Sequence, residues 1–339
     1  MLRRAVNFPG WRRSSALVLF TAFCSAVQPQ RPRPHAQTTL RAWGDDSMRD
    51  VLARWQSAFR VRHPEARFED TLLGSGSGMA GIITGKAEFA VMGRPASANE
   101  VMGFEWVHRY KPRGIAVLTG SLDQAGASPA LVVFVHRTNP VRRLTLEQLA
   151  RMFGCCGQGS RITKWGQLGA GGAWRGRTIR AYLYNNETGS GDFVEKALLG
   201  NGDKWDWTRV KEFGDFRRPS SIEQMDERIM TAFARDPYGI AISTLHYAGP
   251  DARAVAIART ANGPFVSPDR STVECGTYPL TRRIYIYVDA PPGKAMNPLV
   301  RAFLAYVLDP AEQAQAAAQG RFLPLPESLA QSEMQELSQ

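Results

Sequence analysis

Two stretches of small residues, Gly74-Ser75-Gly76-Ser77-Gly78 and Thr188-Gly189-Ser190-Gly191-Asp192, lie about a hundred residues apart, and each opens a helical pattern. Their chemistry is that of anion capture. Glycines let the main chain approach a ligand closely, and the first N–H groups of a helix have no internal partner and sit at its positive end. Ser75, Ser77 and Ser190 add hydroxyl donors, and Arg94 adds a full positive charge. Two such turns from distant parts of the chain predict one oxyanion site shared by two lobes.

The same residues do not assemble a catalytic or nucleotide signature. Gly189 and Gly191 flank Ser190 directly, whereas a hydrolase nucleophile elbow needs Gly-x-Ser-x-Gly followed by an acid and a histidine. Neither Gly/Ser turn is followed by the Lys-Ser/Thr of a phosphate-binding P-loop. The expectation is a binding protein without a cofactor, not an enzyme.

The elements that must position these turns alternate. A short apolar strand around Leu40 runs into the turn Gly44-Asp45-Asp46-Ser47, then into a helix with Met48, Val51, Leu52, Trp55 and Phe59 on one face. A second strand ends in the first Gly/Ser turn, a helix follows from about Met79, and a third strand ends in Gly93-Arg94. Strand, turn and helix in repetition predict a parallel α/β sheet, with its ligand crevice outside the carboxyl ends of the strands. Three turns then converge there: Asp45 to Ser47, Ser75 to Gly78, and Gly93 to Arg94.

With these pieces in this order, the chain resembles the phosphate-binding proteins of bacterial phosphate ABC transporters, within the wider class of periplasmic binding proteins. GDDSM is similar to the family's first ligand turn, and GSGSG with GKAEFAVMGR to its second and third. LVVFVHRTNPVRRLTLEQLARMFG, NNETGSGDF, YGIAISTLHYA and YPLTRRIYIYV resemble later family segments in the family's order. The resemblance implies a two-lobed α/β fold of the type II periplasmic-binding-protein kind. Each lobe would be a mixed sheet flanked by helices, with a two-strand hinge around Ala130–His136 and Tyr278–Tyr287. Residues 38–130 with 284–339 would form lobe one, and residues 131–283 lobe two. The implied ligand is phosphate or a similar oxyanion, held by Asp46, Ser47, Ser75, Ser77, Gly78, Arg94, Gly189, Ser190, Gly191 and Asp192. The implied partner is an ABC permease, and the implied state is a monomer that does not bind nucleic acid. The alternative is a divergent envelope sensor or interaction protein on the same scaffold, or a binder of a different ligand.

Departures from the family pattern bear on that alternative. Asn186 stands where the family has a phosphate-contacting arginine, Asp192 replaces a threonine, and Asp45 replaces a serine. A carboxylate facing a dianion repels it, whereas one capping a helix through backbone amides does not.

Export is read from the first 36 residues, where Arg3, Arg4, Arg12 and Arg13 precede the apolar run ALVLFTAFCSAV and small residues permit cleavage near Ala26 to Ala36. Ordinary secretion is expected over the twin-arginine route, with a periplasmic mature protein. Six arginines of this leader account for most of the net charge of +11, leaving +5 on the remainder. The later arginine pairs, including Arg282-Arg283, are scattered, as solvated surface charge would be, and do not form a nucleic-acid stripe. The chain beyond the leader holds Cys155, Cys156 and Cys275. Neighbouring cysteines strain against bridging one another, so either Cys155 or Cys156 is expected to pair with Cys275 in an oxidising compartment. No histidine or third thiol sits at metal-ligand spacing, so no metal site is expected.

Overall fold

The computed structural model describes residues 39–157, 159–200, 203–214, 222–318 and 321–337; the leader lies outside them. The strands are β1 (Thr39–Gly44), β2 (Arg67–Leu72), β3 (Phe89–Met92), β4 (Arg113–Thr119), β5 (Val132–His136) and β6 (Arg143–Thr145). They continue with β7 (Ala181–Tyr184), β8 (Val210–Phe213), β9 (Ile240–Ser243), β10 (Ala252–Ala254), β11 (Ala256–Ala258) and β12 (Arg283–Val288). The helices are α1 (Arg49–Arg62), α2 (Ser75–Ile83), α3 (Ala98–His108), α4 (Leu146–Phe153) and α5 (Gly189–Leu199). After them come α6 (Ile222–Ala234), α7 (Arg270–Glu274), α8 (Pro298–Val307), α9 (Pro310–Ala318) and α10 (Glu327–Leu337).

Two five-stranded mixed sheets carry the two lobes. The first has the order β2-β1-β3-β12-β4, with β1 parallel to β2 and β3, and β12 antiparallel to β3 and β4. The second has the order β10-β5-β9-β7-β8, with β7 parallel to β8 and β9, and β5 antiparallel to β9 and β10. A small parallel pair, β6 with β11, stands beside it.

All four residues of β3 are buried, as a strand covered on both faces requires. On one face the apolar stripe of α1 packs with α8, and Phe303 holds its ring 5.3 Å from each of Phe59, Phe68 and Phe89. On the other, Met79, Ile82 and Phe104 of α2 and α3 close a smaller core over Ala90 and Met92. The second sheet has its own core, which includes Trp165, whose indole N–H donates to the Tyr238 carbonyl at 2.8 Å. Separate cores keep each lobe rigid while leaving the space between them free for a ligand.

The chain passes between the sheets twice, through residues 120–131 and 275–282. These crossings run side by side: Gly120 N–H donates to the Arg282 carbonyl at 2.9 Å, and Leu131 N–H to the Leu280 carbonyl at 3.1 Å. Arg282 therefore sits on the seam between lobes.

The expected pairing of Cys155 or Cys156 with Cys275 is corrected by the structure: Cys155 and Cys156 bridge each other, and Cys275 is free and exposed. The physical reason lies in what anchors each segment. The loop after α4 is tied to the chain near Trp205, through Cys155 N–H to the Lys204 carbonyl and Cys156 N–H to Asp203 Oδ1. Cys275 ends α7, with its sulfur 3.2 Å from Thr277 Oγ1.

Candidate anion-binding site

The two Gly/Ser turns do meet. Ser75 opens α2 behind Gly74, Gly189 opens α5 behind Thr188, and a Cβ built on Gly189 would lie only 3.9 Å from Ser75 Oγ. Between them is a cleft of about 340 Å³ lined mainly by polar residues, among them Asp45, Asp46, Ser47, Ser75, Ser128 and Ser190. Two helix N-termini from different lobes thus face one small polar space, an arrangement that favours negative charge.

Two arginines line this cleft: Arg321, which is the more exposed and is paired with Asp50, and the buried Arg282. Arg282 is only 2% exposed, and among the described residues its hydrogen bonds go to neutral acceptors. Nε and Nη2 donate to the Gly93 carbonyl at 3.1 and 2.9 Å in lobe one, and Nη1 donates to Ser190 Oγ at 3.0 Å in lobe two. Burial pushes this guanidinium below its ordinary pKa, an effect that Asp45, Tyr184 and Asp226 oppose and Arg94 reinforces. It stays charged nonetheless, as arginine does in proteins.

Asp45 organises the lobe-one wall. Oδ1 accepts from Ser47 N–H at 3.0 Å, while Oδ2 accepts from Ser75 Oγ at 2.7 Å and from Gly93 N–H at 3.1 Å. A carboxylate thereby ties together all three turns expected to converge. Gly93 has no room for a side chain here: a Cβ would lie 2.4 Å from Asp45 Oδ2 and 2.5 Å from Ser128 Oγ. Ser128, on the first crossing, has φ of 44°, and its hydroxyl lies 3.3 Å from Ser47 Oγ.

Of the residues expected at the ligand, Asp46, Ser47, Ser75, Gly189 and Ser190 line the cleft. Ser77, Gly78, Arg94, Gly191 and Asp192 are not among its lining residues. Ser77 turns its hydroxyl back to the Gly74 carbonyl at 2.8 Å, and Gly78 packs against the Trp43 carbonyl and Ala90. Gly191 N–H is taken by the capping Thr188 hydroxyl at 3.0 Å, so Thr188, not Asp192, caps α5.

Arg94 makes a two-pronged ion pair with Glu100, at 2.8 and 2.9 Å, and its Nε lies 3.3 Å from Asp192 Oδ2. Burial works against the charged guanidinium, but Glu100 and Asp192 outweigh it and raise the Arg94 pKa. Burial also pushes Glu100 up, and there the Arg94 fork and the Ser97 amide prevail, holding the carboxyl below its ordinary range. Asp192 takes a second partner, Lys196 Nζ, at 2.7 Å. Asn186 N–H donates to Glu212 at 3.3 Å.

Among the polar lining residues, sequence reasoning missed Arg282, Arg321, Ser128 and Thr188. The signal for Arg282 was present in YPLTRRIYIYV, but the Arg282-Arg283 pair reads as surface charge until the crossings are placed. For Ser128, a turn residue before Pro129, no comparable signal exists.

A profile of the PBP superfamily domain matches residues 29–311. Phosphate-binding protein PstS of Pseudomonas aeruginosa is 28% identical over 321 residues, covering 92% of each chain. Protein SphX of Synechococcus elongatus is 25% identical over 323 residues, covering 94% of this chain and 87% of its own. Among solved structures, PstS from Borrelia burgdorferi aligns with a TM-score of 0.58 at 14% identity, covering 86% of this chain and 100% of its own. An ABC-type phosphate transport receptor from Vibrio cholerae aligns with a TM-score of 0.56 at 16% identity, covering 85% and 100%. These alignments run through both lobes. With its two mixed sheets, its paired crossings and a profile match over most of its length, the chain belongs to the PBP superfamily.

Proposed function

We propose that this protein is an exported, periplasmic receptor that captures phosphate between its lobes and delivers it to an ABC permease as a monomer, without nucleic acid. One observation carries the reading: a buried arginine held by a carbonyl and a hydroxyl stands where two helix N-termini converge on a cleft of about 340 Å³. Its charge remains available to an anion. The relatives named as phosphate-binding proteins make phosphate the first candidate among tetrahedral oxyanions.

Ser47, Ser75, Ser128 and Ser190 would supply hydroxyls, and the amides of Gly189 and Ser190 the helix-end donors. Residues 38–130 with 284–339 would form one lobe and residues 131–283 the other, with the crossings as hinge. Closure would exclude water and strengthen each charged hydrogen bond.

A second reading, a non-transport sensor on the same scaffold, is favoured by Asp45, whose carboxylate already occupies three donors that point toward the cleft. Thermal unfolding with millimolar phosphate, sulfate and arsenate separates the two. Binding raises the midpoint progressively with ligand concentration, phosphate most; an unchanged midpoint with all three anions rejects the receptor reading.

A further inference from the structure

We propose that the Gly154-Cys155-Cys156-Gly157 loop is a redox-gated site for a thiophilic divalent cation, with Asp203 as its third ligand. The juxtaposition is tertiary: Asp203 lies 47 residues beyond Cys156, yet a sulfur of each cysteine and a carboxylate oxygen all lie within 4.8 Å of one another. The loop is shaped around that carboxylate. Asp203 Oδ1 accepts from Cys156 N–H and Lys204 N–H, both at 2.7 Å, which orients the group. Oδ2 sits where side chains on either flanking position would collide, since a Cβ would lie 2.2 Å away on Gly154 and 2.4 Å away on Gly157. Both glycines are needed for the loop to close on it. Backbone pairing of Gly154 with Trp205 and of Cys155 N–H with the Lys204 carbonyl fixes the two segments together, and Cys156 is exposed to reductant.

In the bridged form the sulfurs are poor ligands. A dithiol reductant transfers two electrons to the Cys155–Cys156 bond, which breaks to two thiols as the reductant closes to its own disulfide. The cation then displaces one proton from each thiol and binds two thiolates and the Asp203 carboxylate, with water completing a tetrahedron. Two sulfurs and one oxygen suit Zn²⁺ or Cd²⁺ over Mg²⁺ or Ca²⁺. A disulfide oxidant reverses the process by exchange: it accepts the two electrons and two protons from solvent and leaves as its dithiol, while the Cys155 and Cys156 sulfurs rejoin and the cation is released. The loop follows α4 and is tied to the chain before β8, and none of its residues lines the anion cleft.

The test uses the full chain, either oxidised or reduced with dithiothreitol that is then removed anaerobically, and titrated with Cd²⁺ while thiolate-to-cadmium absorption and bound metal are measured. One Cd²⁺ per chain is expected in the reduced protein and none in the oxidised protein. Cys275→Ser should bind as the parent does, and Asp203→Asn, which keeps an acceptor for the Cys156 and Lys204 amides, should bind at least tenfold more weakly. Equal binding in both redox states, loss of binding in Cys275→Ser, or unchanged affinity in Asp203→Asn would overturn the site.

Discussion

Arg282 and Arg94 are both buried near the seam between lobes, 2% and 7% exposed, and they differ in what holds them. Arg94 is gripped by Glu100 and flanked by Asp192, so its charge is consumed within the protein. Arg282 donates to a carbonyl and a hydroxyl, and its nearest carboxylate influences act through space. The lesson concerns charge accounting: the same residue type at the same depth is structural when its counter-ions are built in and is free for a ligand when they are not. The family-like Gly93-Arg94 turn is thus a joint between lobes, while the candidate anion site takes its buried cation from the second crossing.

Exchanging each arginine for glutamine puts that contrast to its severest test. Arg282→Gln removes the buried cation of the cleft and leaves only the more exposed Arg321, which is paired with Asp50; phosphate affinity measured by calorimetry should fall about a hundredfold, the worth of about 3 kcal/mol in a charged hydrogen-bonded contact. Arg94→Gln should leave phosphate affinity within a few fold but lower stability by about 3 kcal/mol in denaturant unfolding, because Glu100 and Asp192 lose their shared partner. Reversed outcomes would return Arg94 to the ligand.

Asp45→Ser comes next in size. It removes a negative charge from the lining and frees Ser75 Oγ and the amides of Ser47 and Gly93 for the ligand. Phosphate should then bind about tenfold more tightly at neutral pH, one factor of ten for each 1.4 kcal/mol of repulsion relieved. A marked loss of affinity instead would mean that Asp45 accepts a proton from a protonated ligand. The smallest effect belongs to Asp192→Thr. Asp192 neither lines the cleft nor caps α5, so the change removes two partly exposed ion pairs, with Arg94 and with Lys196. A loss of about threefold in phosphate affinity, with stability changed by less than about 1 kcal/mol, is expected from the same titration and unfolding measurements; a gain in affinity would place the carboxylate at the ligand after all.

Much of this was legible in the residues. The face of Met48, Val51, Leu52, Trp55 and Phe59 is buried as its spacing requires, and the Gly/Ser turns open α2 and α5. Helix periodicity and turn chemistry are local properties, set by neighbours within a few positions, and can be read from one segment at a time. Ser47, Ser75, Gly189 and Ser190 reached the cleft because each belongs to such a turn.

What could not be read were relations between segments. A basic pair at 282–283 looks the same whether it is solvated or sealed between lobes, and only the paired crossings bury Arg282. In the sequence Asp45 reads equally well as a ligand contact or a scaffold residue, and its hydrogen bonds go to Ser75 and Gly93, which are 30 and 48 residues away. Cys155 and Cys156 offered no sign that Asp203 would stand beside them. Local sequence determined the turns, the helices and the kind of chemistry they can offer; packing decided which charges are cancelled, because Coulomb interactions and desolvation depend on distance through space and not along the chain.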